Sequence, residues 1–325
     1  MNEFKRRIKP QLDAHFVIVE VYDGGTGGDN EVARACVSDG SEVVMKVMLA
    51  NKKYHQRRKA LTEAVMYLLD VGLGGERVVP DLYIELFELT DAYTNAWGVK
   101  NAEGAKRVCS VIRGFAPGGP GDEWRGVEYK QRGHLPHADA HCKSVIDFHP
   151  DAERISLLDF ITINQDRSAR NWVTDHGKRF YAIDNGMAWF HEYPYSNDWK
   201  YGCAVDDVIL QLNPWQFISG VFSTSWAGRP LSPVMQAALD NFDEIDFLQG
   251  VEVAARAVGF PAGISEDWRF EGLLRRLRWI RDNGRQPTVT EYRAWHQGSE
   301  LMTPPEVVAS GGQVVWNLEM DYDVA

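Results

Sequence analysis

The chain has 325 residues, 44% of them hydrophobic and 25% charged, the mix of a soluble globular protein; at about 150 residues per domain it fits one large or two ordinary domains. That composition excludes collagen, a coiled coil and wholesale disorder. Lys and Arg number 35 against 46 Asp and Glu, formally −11, a field that repels polyanions and disfavours nucleic acid as a direct ligand.

Met1–Pro10 is charged and leads into no apolar leader core before Glu20 and Asp23, and no apolar run approaches the ~20 residues that span a bilayer. The expectation is a cytoplasmic chain with no membrane partner. Its four cysteines, Cys36, Cys109, Cys142 and Cys203, are scattered without CxxC spacing and read as reduced thiols. From His15 to Leu49 three β-rich runs, HFVIVEVYD, EVARACVSD and SEVVMKVML, are joined by GGTGGDN and by a turn at Gly40. This rhythm predicts an antiparallel meander. Over residues 52 to 70, Leu61, Val65, Leu68 and Leu69 recur at helical spacing, with Gly72 as a stop. Two more strands are expected over 81 to 91 and 107 to 113, separated by a polar insertion.

The Gly/Pro-rich stretch 114–126 is the strongest linker, so a β-rich N-terminal part over 1–113 is expected to give way to a helical part over 127–325. There the pattern predicts a helix from Pro150 to Ile163 and another from an N-cap at Ser265 to Asp282, with Gly284 just past its end. Thr288 and Glu291 form a capping box, and the acidic tail from Glu319 is expected to fray. His134, His137, His141 and Cys142, with His149 nearby, offer H-x2-H-x3-H spacing for zinc, but no second ligand pair follows and Pro136 points to a polar surface loop. Ten aromatics fall between Trp189 and Trp226, a packed core or, alternatively, a substrate platform. The basic runs Lys52, Lys53, Arg57, Arg58, Lys59 and Arg275, Arg276, Arg278, Arg281 read as solvated faces.

The segment most informative about chemistry is LLDFITINQDRSARNWVT, 157–174, followed by FYAIDNGMAWF, 180–190. An apolar helix ends at Asn164, Asp166 and Asn171 stand five apart in a polar loop, a WVT strand follows, and the strand YAI delivers Asp184. Phosphoryl transfer asks for such a set, because a hard Mg²⁺ takes carboxylate and amide oxygens while a separate carboxylate orients the attacking hydroxyl. Taken alone, D-x4-N is also ordinary turn chemistry. Its weight comes from what lies upstream. Gly24, Gly25, Gly27 and Gly28, around Thr26, let backbone amides approach a polyphosphate, or else form a flexible hairpin tip. Lys46 is the only charge in VVMKVML; if buried it needs a partner, and Glu63 in the following helix is the natural one. The bland alternatives are a lysine on an exposed edge strand and a glutamate on an exposed helix face.

Glycine-rich hairpin, strand lysine, helix glutamate, Gly/Pro linker, D-x4-N and D-x-G, in that order, resemble the two-lobed protein-kinase-like fold. The forms NQDRSARN and IDNG resemble its atypical branch: HipA-like bacterial kinases, phosphatidylinositol 3- and 4-kinases and secretory-pathway casein kinases. TEAVMYLLDVGLGGERVVPD, 62–81, is similar to the helix-then-VP stretch of HipA-like members. The resemblance covers about residues 15 to 190; Ser168 stands where many members have His, and Ala169 and Arg170 replace a Gly-containing pair. It implies an α+β fold with a small β-rich N-lobe carrying one main helix, a hinge near Ile112 to Pro120 and a larger, mostly helical C-lobe. It also implies an Mg·ATP-dependent serine/threonine kinase acting on a protein substrate. In that scheme the glycine loop (Gly24, Gly25, Thr26, Gly27, Gly28) and Ile112 contact ATP, Lys46 binds its phosphates and is held by Glu63, Asp166 orients the acceptor hydroxyl, and Asn171 and Asp184 hold Mg²⁺. Arg167 pairs with a carboxylate or phosphate of the activation region, or pins the loop to the C-lobe. The competitors are a small-molecule kinase of the aminoglycoside-phosphotransferase type, a nucleotide-binding pseudokinase that sequesters a partner, and an AMP-transferring enzyme of the same fold.

Overall fold

The β-rich opening forms three consecutive antiparallel strands, β1 (Ile18–Gly27), β2 (Asn30–Val37) and β3 (Glu42–Leu49). The computed structural model describes residues 18–27, 30–37, 42–49, 55–88, 107–114, 116, 118–162, 164, 167, 170–186, 226–260, 262–266, 268–288 and 291. Helix α1 (His55–Gly72) follows β3, and β4 (Leu82–Glu88) and β5 (Arg107–Gly114) complete a five-stranded antiparallel sheet in the order β1-β2-β3-β5-β4. β3 is therefore the central strand. One backbone row, Gly25, Val32, Lys46, Val111 and Ile84, crosses all five strands. At about 4.8 Å per strand spacing, the glycine-rich part of β1 lies roughly 10 Å from Lys46.

Beyond β5, β6 (Gly119–Pro120) leads straight into α2 (Gly121–Arg132). Asp122 and Glu123 in its first turn and Lys130 and Arg132 in its last complement the helix dipole, and Gly133, at φ 69°, ends it by donating its N–H to Tyr129 O. The segment read as a polar loop around Pro136 is instead helix α3 (Leu135–Ile146). Proline in the first helical turn costs no hydrogen bond there, because that N–H has no intrahelical partner. α4 (Pro150–Thr162) is buried along its whole length after Pro150, and it leads to the short hairpin β7 (Trp172–Thr174) and β8 (Phe180–Ala182).

Strands β6, β7 and β8 form a second small sheet in that order. The linker is thus held against the hairpin by main-chain pairing. Gly118 has φ 107°, and a Cβ there would stand 2.1 Å from Thr174 O, so the close approach of these segments requires glycine. Trp124 of α2 packs edge-on against Trp172 and Phe180, with ring centroids 6.2 and 5.7 Å away.

Three helices close the described chain: α5 (Pro233–Asp240), α6 (Glu244–Ala257) and α7 (Trp268–Asn283). α5 is capped by Ser232, whose Oγ accepts from Met235 N–H, and α6 by Asp243, whose carboxylate accepts from the Ile245 and Asp246 amides. Ser265 does not cap α7; it sits in a 3-10 turn (Ile264–Glu266) and donates its N–H to Glu252 at 2.7 Å. Gly284 does follow the end of α7, at φ 62°. Of the α7 arginines, Arg275, Arg278 and Arg281 pair with Glu271, Glu244 and Asp282, while Arg276 is buried and donates to Ile161 O. The Thr288–Glu291 capping box forms as expected.

The buried apolar side chains form one continuous cluster, from Leu61, Val65 and Leu69 of α1 through Leu158 and Phe160 of α4 to Leu273 and Leu277 of α7. α1 is the pivot, because it packs on β3, β4 and β5 and also against α4 and α6. Among the described residues no helix is long and apolar enough to cross a membrane.

Candidate active site

The hairpin brings two of the expected oxygen ligands together. β7 and β8 pair from Trp172↔Ala182 to Thr174↔Phe180, and at the open end the Ile183 N–H donates to Asn171 O at 3.0 Å. Asn171, directly before β7, and Asp184, just past β8, therefore stand on adjacent strands' ends. Asn171 is 8% exposed, and Asp184 is partly exposed. The Asp184 backbone has φ 54°, in the left-handed region that non-glycine residues rarely enter, although Asp tolerates it better than most. Such strain persists only where neighbouring contacts over-determine the position.

Those contacts come from Arg167, whose side chain is 0% exposed. Its Nε and Nη2 donate to the two carboxylate oxygens of Asp159 at 3.1 and 2.9 Å. Its Nη1 donates to Asn171 O at 2.5 Å and to Ile183 O at 2.7 Å, and Nη2 also donates to Asn185 Oδ1 at 2.6 Å. Asp159 also accepts from Asn164 Nδ2 at 2.9 Å. Burial pushes the Asp159 carboxyl above its ordinary range, with the Arg167 cation pulling the other way. Of the two roles weighed for Arg167, pinning the loop is the one its contacts match.

A second buried pair secures the hairpin from behind. Asp70, near the end of α1, accepts from the Val78 and Val79 amides at 2.9 and 2.7 Å and from Arg154 Nε of α4 at 2.5 Å; the Arg154 Nη2 also donates to Asp70 O. Val78 O in turn accepts from the Ala182 N–H of β8 at 2.8 Å. The helix-then-VP stretch is thus one hydrogen-bonded step from the strand that delivers Asp184.

The front half of the chain meets this hairpin at α1. A Cβ built on Gly186 would lie 3.4 Å from Lys59 Cβ, so the IDNG segment rests against that helix. Glu63, one turn along from Lys59, is 2% exposed, which excludes the exposed-face reading for it. Lys46 sits in the central strand, which excludes the edge-strand reading, and its side chain lies outside the described residues. Ile112 is in β5, opposite Met45 and next in register to Lys46. Gly24, Gly25, Thr26 and Gly27 are paired residues of β1 rather than loop; Gly28 lies outside the described residues, as does Asp166.

Asn171 and Asp184 supply an amide and a carboxylate oxygen, a donor set that suits Mg²⁺, which binds through one or two such groups and fills its remaining positions with water and phosphate. Among the described residues no three His, Cys, Asp or Glu side chains form a metal cluster. Of the histidine group, His134 and His137 have ring centroids 4.9 Å apart, and His141 faces Glu128 at 3.6 Å. Burial pushes the Cys142 thiol up to about 12, so it is a thiol rather than a thiolate at neutral pH.

The Asp159–Arg167–Asn185 network is not among the sequence expectations, yet it leaves a signal: Asp159 is the only charge in SLLDFITIN, the same anomaly that Lys46 shows in VVMKVML.

No protein-family model and no curated protein matches the chain. Among solved structures it resembles the Golgi casein kinase with Mn/ADP bound, at 12% identity over 85% of this chain and 74% of that one, TM-score 0.46. A second structure of the Golgi casein kinase matches at 12% identity over 91% and 77%, TM-score 0.48. The Helicobacter pylori proinflammatory kinase CtkA matches at 11% identity over 81% and 94%, TM-score 0.42. At TM-scores under 0.5 these likenesses carry no argument about this chain, and the functional reading rests on its own residues.

Proposed function

We propose that the protein is an Mg·ATP-dependent phosphotransferase, a HipA-like serine/threonine kinase acting on a protein substrate in the cytoplasm. The observation that carries this reading is the open end of the β7–β8 hairpin, where Asn171 and a left-handed Asp184 are joined through the Ile183–Asn171 hydrogen bond beside the helix that bears buried Glu63. The proposed division is an N-lobe over 1–113, a hinge within 114–126 and a C-lobe over 127–325.

In this reading Asn171 and Asp184 hold Mg²⁺, and Asp166, five residues before Asn171, accepts the proton of the acceptor hydroxyl. Lys46 orients the α- and β-phosphates and is itself held by Glu63; the strand-borne glycines of β1 and Ile112 of β5 line the nucleotide. When bound, Mg²⁺ neutralises charge on the phosphate oxygens. The burial of Glu63 supports its role, since a buried carboxylate needs a partner, and a lysine on the neighbouring central strand is one.

Intact-mass analysis after incubation with Mg·ATP and a host lysate tests the proposal. A gain of phosphate on this chain or on a lysate protein is expected, and Asp166→Asn or Asp184→Asn should each remove it while leaving the fold intact. A gain of AMP would identify the adenylyl-transferring alternative, and phosphate found only on small molecules the aminoglycoside-kinase type. Nucleotide binding without turnover would identify a pseudokinase.

A further inference from the structure

We infer that Arg167 is a positioning residue that fixes Asn171 and Asp184 relative to one another, so that one buried guanidinium ties both strand ends of the hairpin to α4. The inference rests on the phosphotransferase reading of that hairpin.

A guanidinium has five N–H donors, and those of Arg167 meet five acceptors: two Asp159 oxygens, Asn171 O, Ile183 O and Asn185 Oδ1. Two of these bonds anchor the cation to α4. The other three end on Asn171 itself and on the two residues that flank Asp184. Because Asn171 O also accepts from Ile183 N–H, the two strand ends share a single hub. That hub supplies the over-determination a left-handed Asp184 requires. Fork geometry is essential, because the five acceptors lie around a planar group; a lysine ammonium has three donors on one point and cannot reach both the Asp159 carboxylate and the carbonyls beyond it.

The same accounting limits regulation. The Arg167 charge is matched inside the fold by Asp159, and its donors are all engaged, so a phosphate on another segment would have to displace Asp159 to reach it.

Binding of Mn²⁺·ADP to the full-length chain, read as free Mn²⁺ by electron paramagnetic resonance, tests this without a turnover assay. Groups that orient metal ligands commonly change affinity by about 10–100-fold when lost, so Arg167→Lys should weaken Mn²⁺·ADP by about tenfold or more. Phe270→Leu, a buried change in α7, provides a comparably destabilised control that should keep wild-type affinity. If Arg167→Lys does not fold, Asn185→Ala removes one of the five bonds and should measurably weaken binding. Wild-type affinity in a folded Arg167→Lys, or in Asn185→Ala where that is the variant read, overturns the inference alone. No Mn²⁺·ADP binding by the unmutated chain overturns the functional reading and the inference together.

Discussion

Gly186 lies against Lys59: a Cβ added to the glycine would stand 3.4 Å from Lys59 Cβ and 3.5 Å from its Cγ. Through this contact the segment that carries Asp184 touches the helix that carries Glu63, and the helix in turn packs on the strand that carries Lys46. Residues more than a hundred positions apart in sequence are therefore brought to one place by α1.

If Lys46 and Glu63 act as one unit, their losses should not add. Lys46→Met and Glu63→Gln are each expected to lower single-turnover phosphate transfer by roughly 10²-fold, and the double variant to fall little further than the worse single. Losses that multiply would separate the two residues.

Two glycines of one helix should respond in opposite directions. A Cβ on Gly121 would stand 2.1 Å from Trp172 Cζ2, inside a rigid buried ring, whereas nothing lies within 4 Å of a Cβ on Gly126. Gly121→Ala should cost about 1–3 kcal/mol by overpacking, while Gly126→Ala should gain about 0.5–1 kcal/mol of helix propensity. Urea unfolding monitored by tryptophan fluorescence measures both, and changes of the same sign would contradict the packing described around Trp172.

The capping box has a pH signature. Glu291 accepts from Arg285 at 2.6 and 2.8 Å and from the Thr288 N–H at 2.7 Å, and the Arg285 hydrogen bonds hold its carboxyl at about 2, against an ordinary 4.5. A carboxyl lowered on folding contributes stability that is complete above its unfolded value and is lost as pH falls toward the folded one. Protection of the Thr288 amide against hydrogen exchange should therefore hold at pH 5 and decline between pH 4.5 and about 2. Glu291→Gln should remove that decline; an unchanged profile in the variant would assign the effect to another group.

The strands, α1, α4 and the β7–β8 hairpin were legible in the sequence because each carries a clear period bounded by Gly, Asp or Pro. The glycine run was less so: GGTG reads as turn chemistry, but pairing with Ala33, Val32, Glu31 and Asn30 extends β1 through Gly27. Tertiary pairing overrode local propensity there. Pro136 misled in the opposite way, since proline breaks a helix interior but suits its first turn. α5 and α6 are harder to see in the sequence although Ser232-Pro233 and Asp243 are ordinary N-terminal signals, because they follow the long aromatic stretch with no motif to mark them. At the site, the placement of Asn171 before β7 and of Asp184 after β8 could be read from spacing, but the hub could not. Asp159 and Arg167 are eight residues apart, and their bonds to Ile183 and Asn185 exist only once the chain has folded back.

The proposed phosphotransferase activity requires Asn171 and Asp184 together to hold the metal of a bound nucleotide. Calorimetric titration of Mg·ATP into the unmutated chain and into Asp184→Asn tests it most directly, because asparagine tolerates the left-handed backbone and removes only the charge. Saturable binding by the unmutated chain, weakened at least tenfold in Asp184→Asn, is the expected result. Equal binding by both, or none by either, would contradict the assignment of this hairpin.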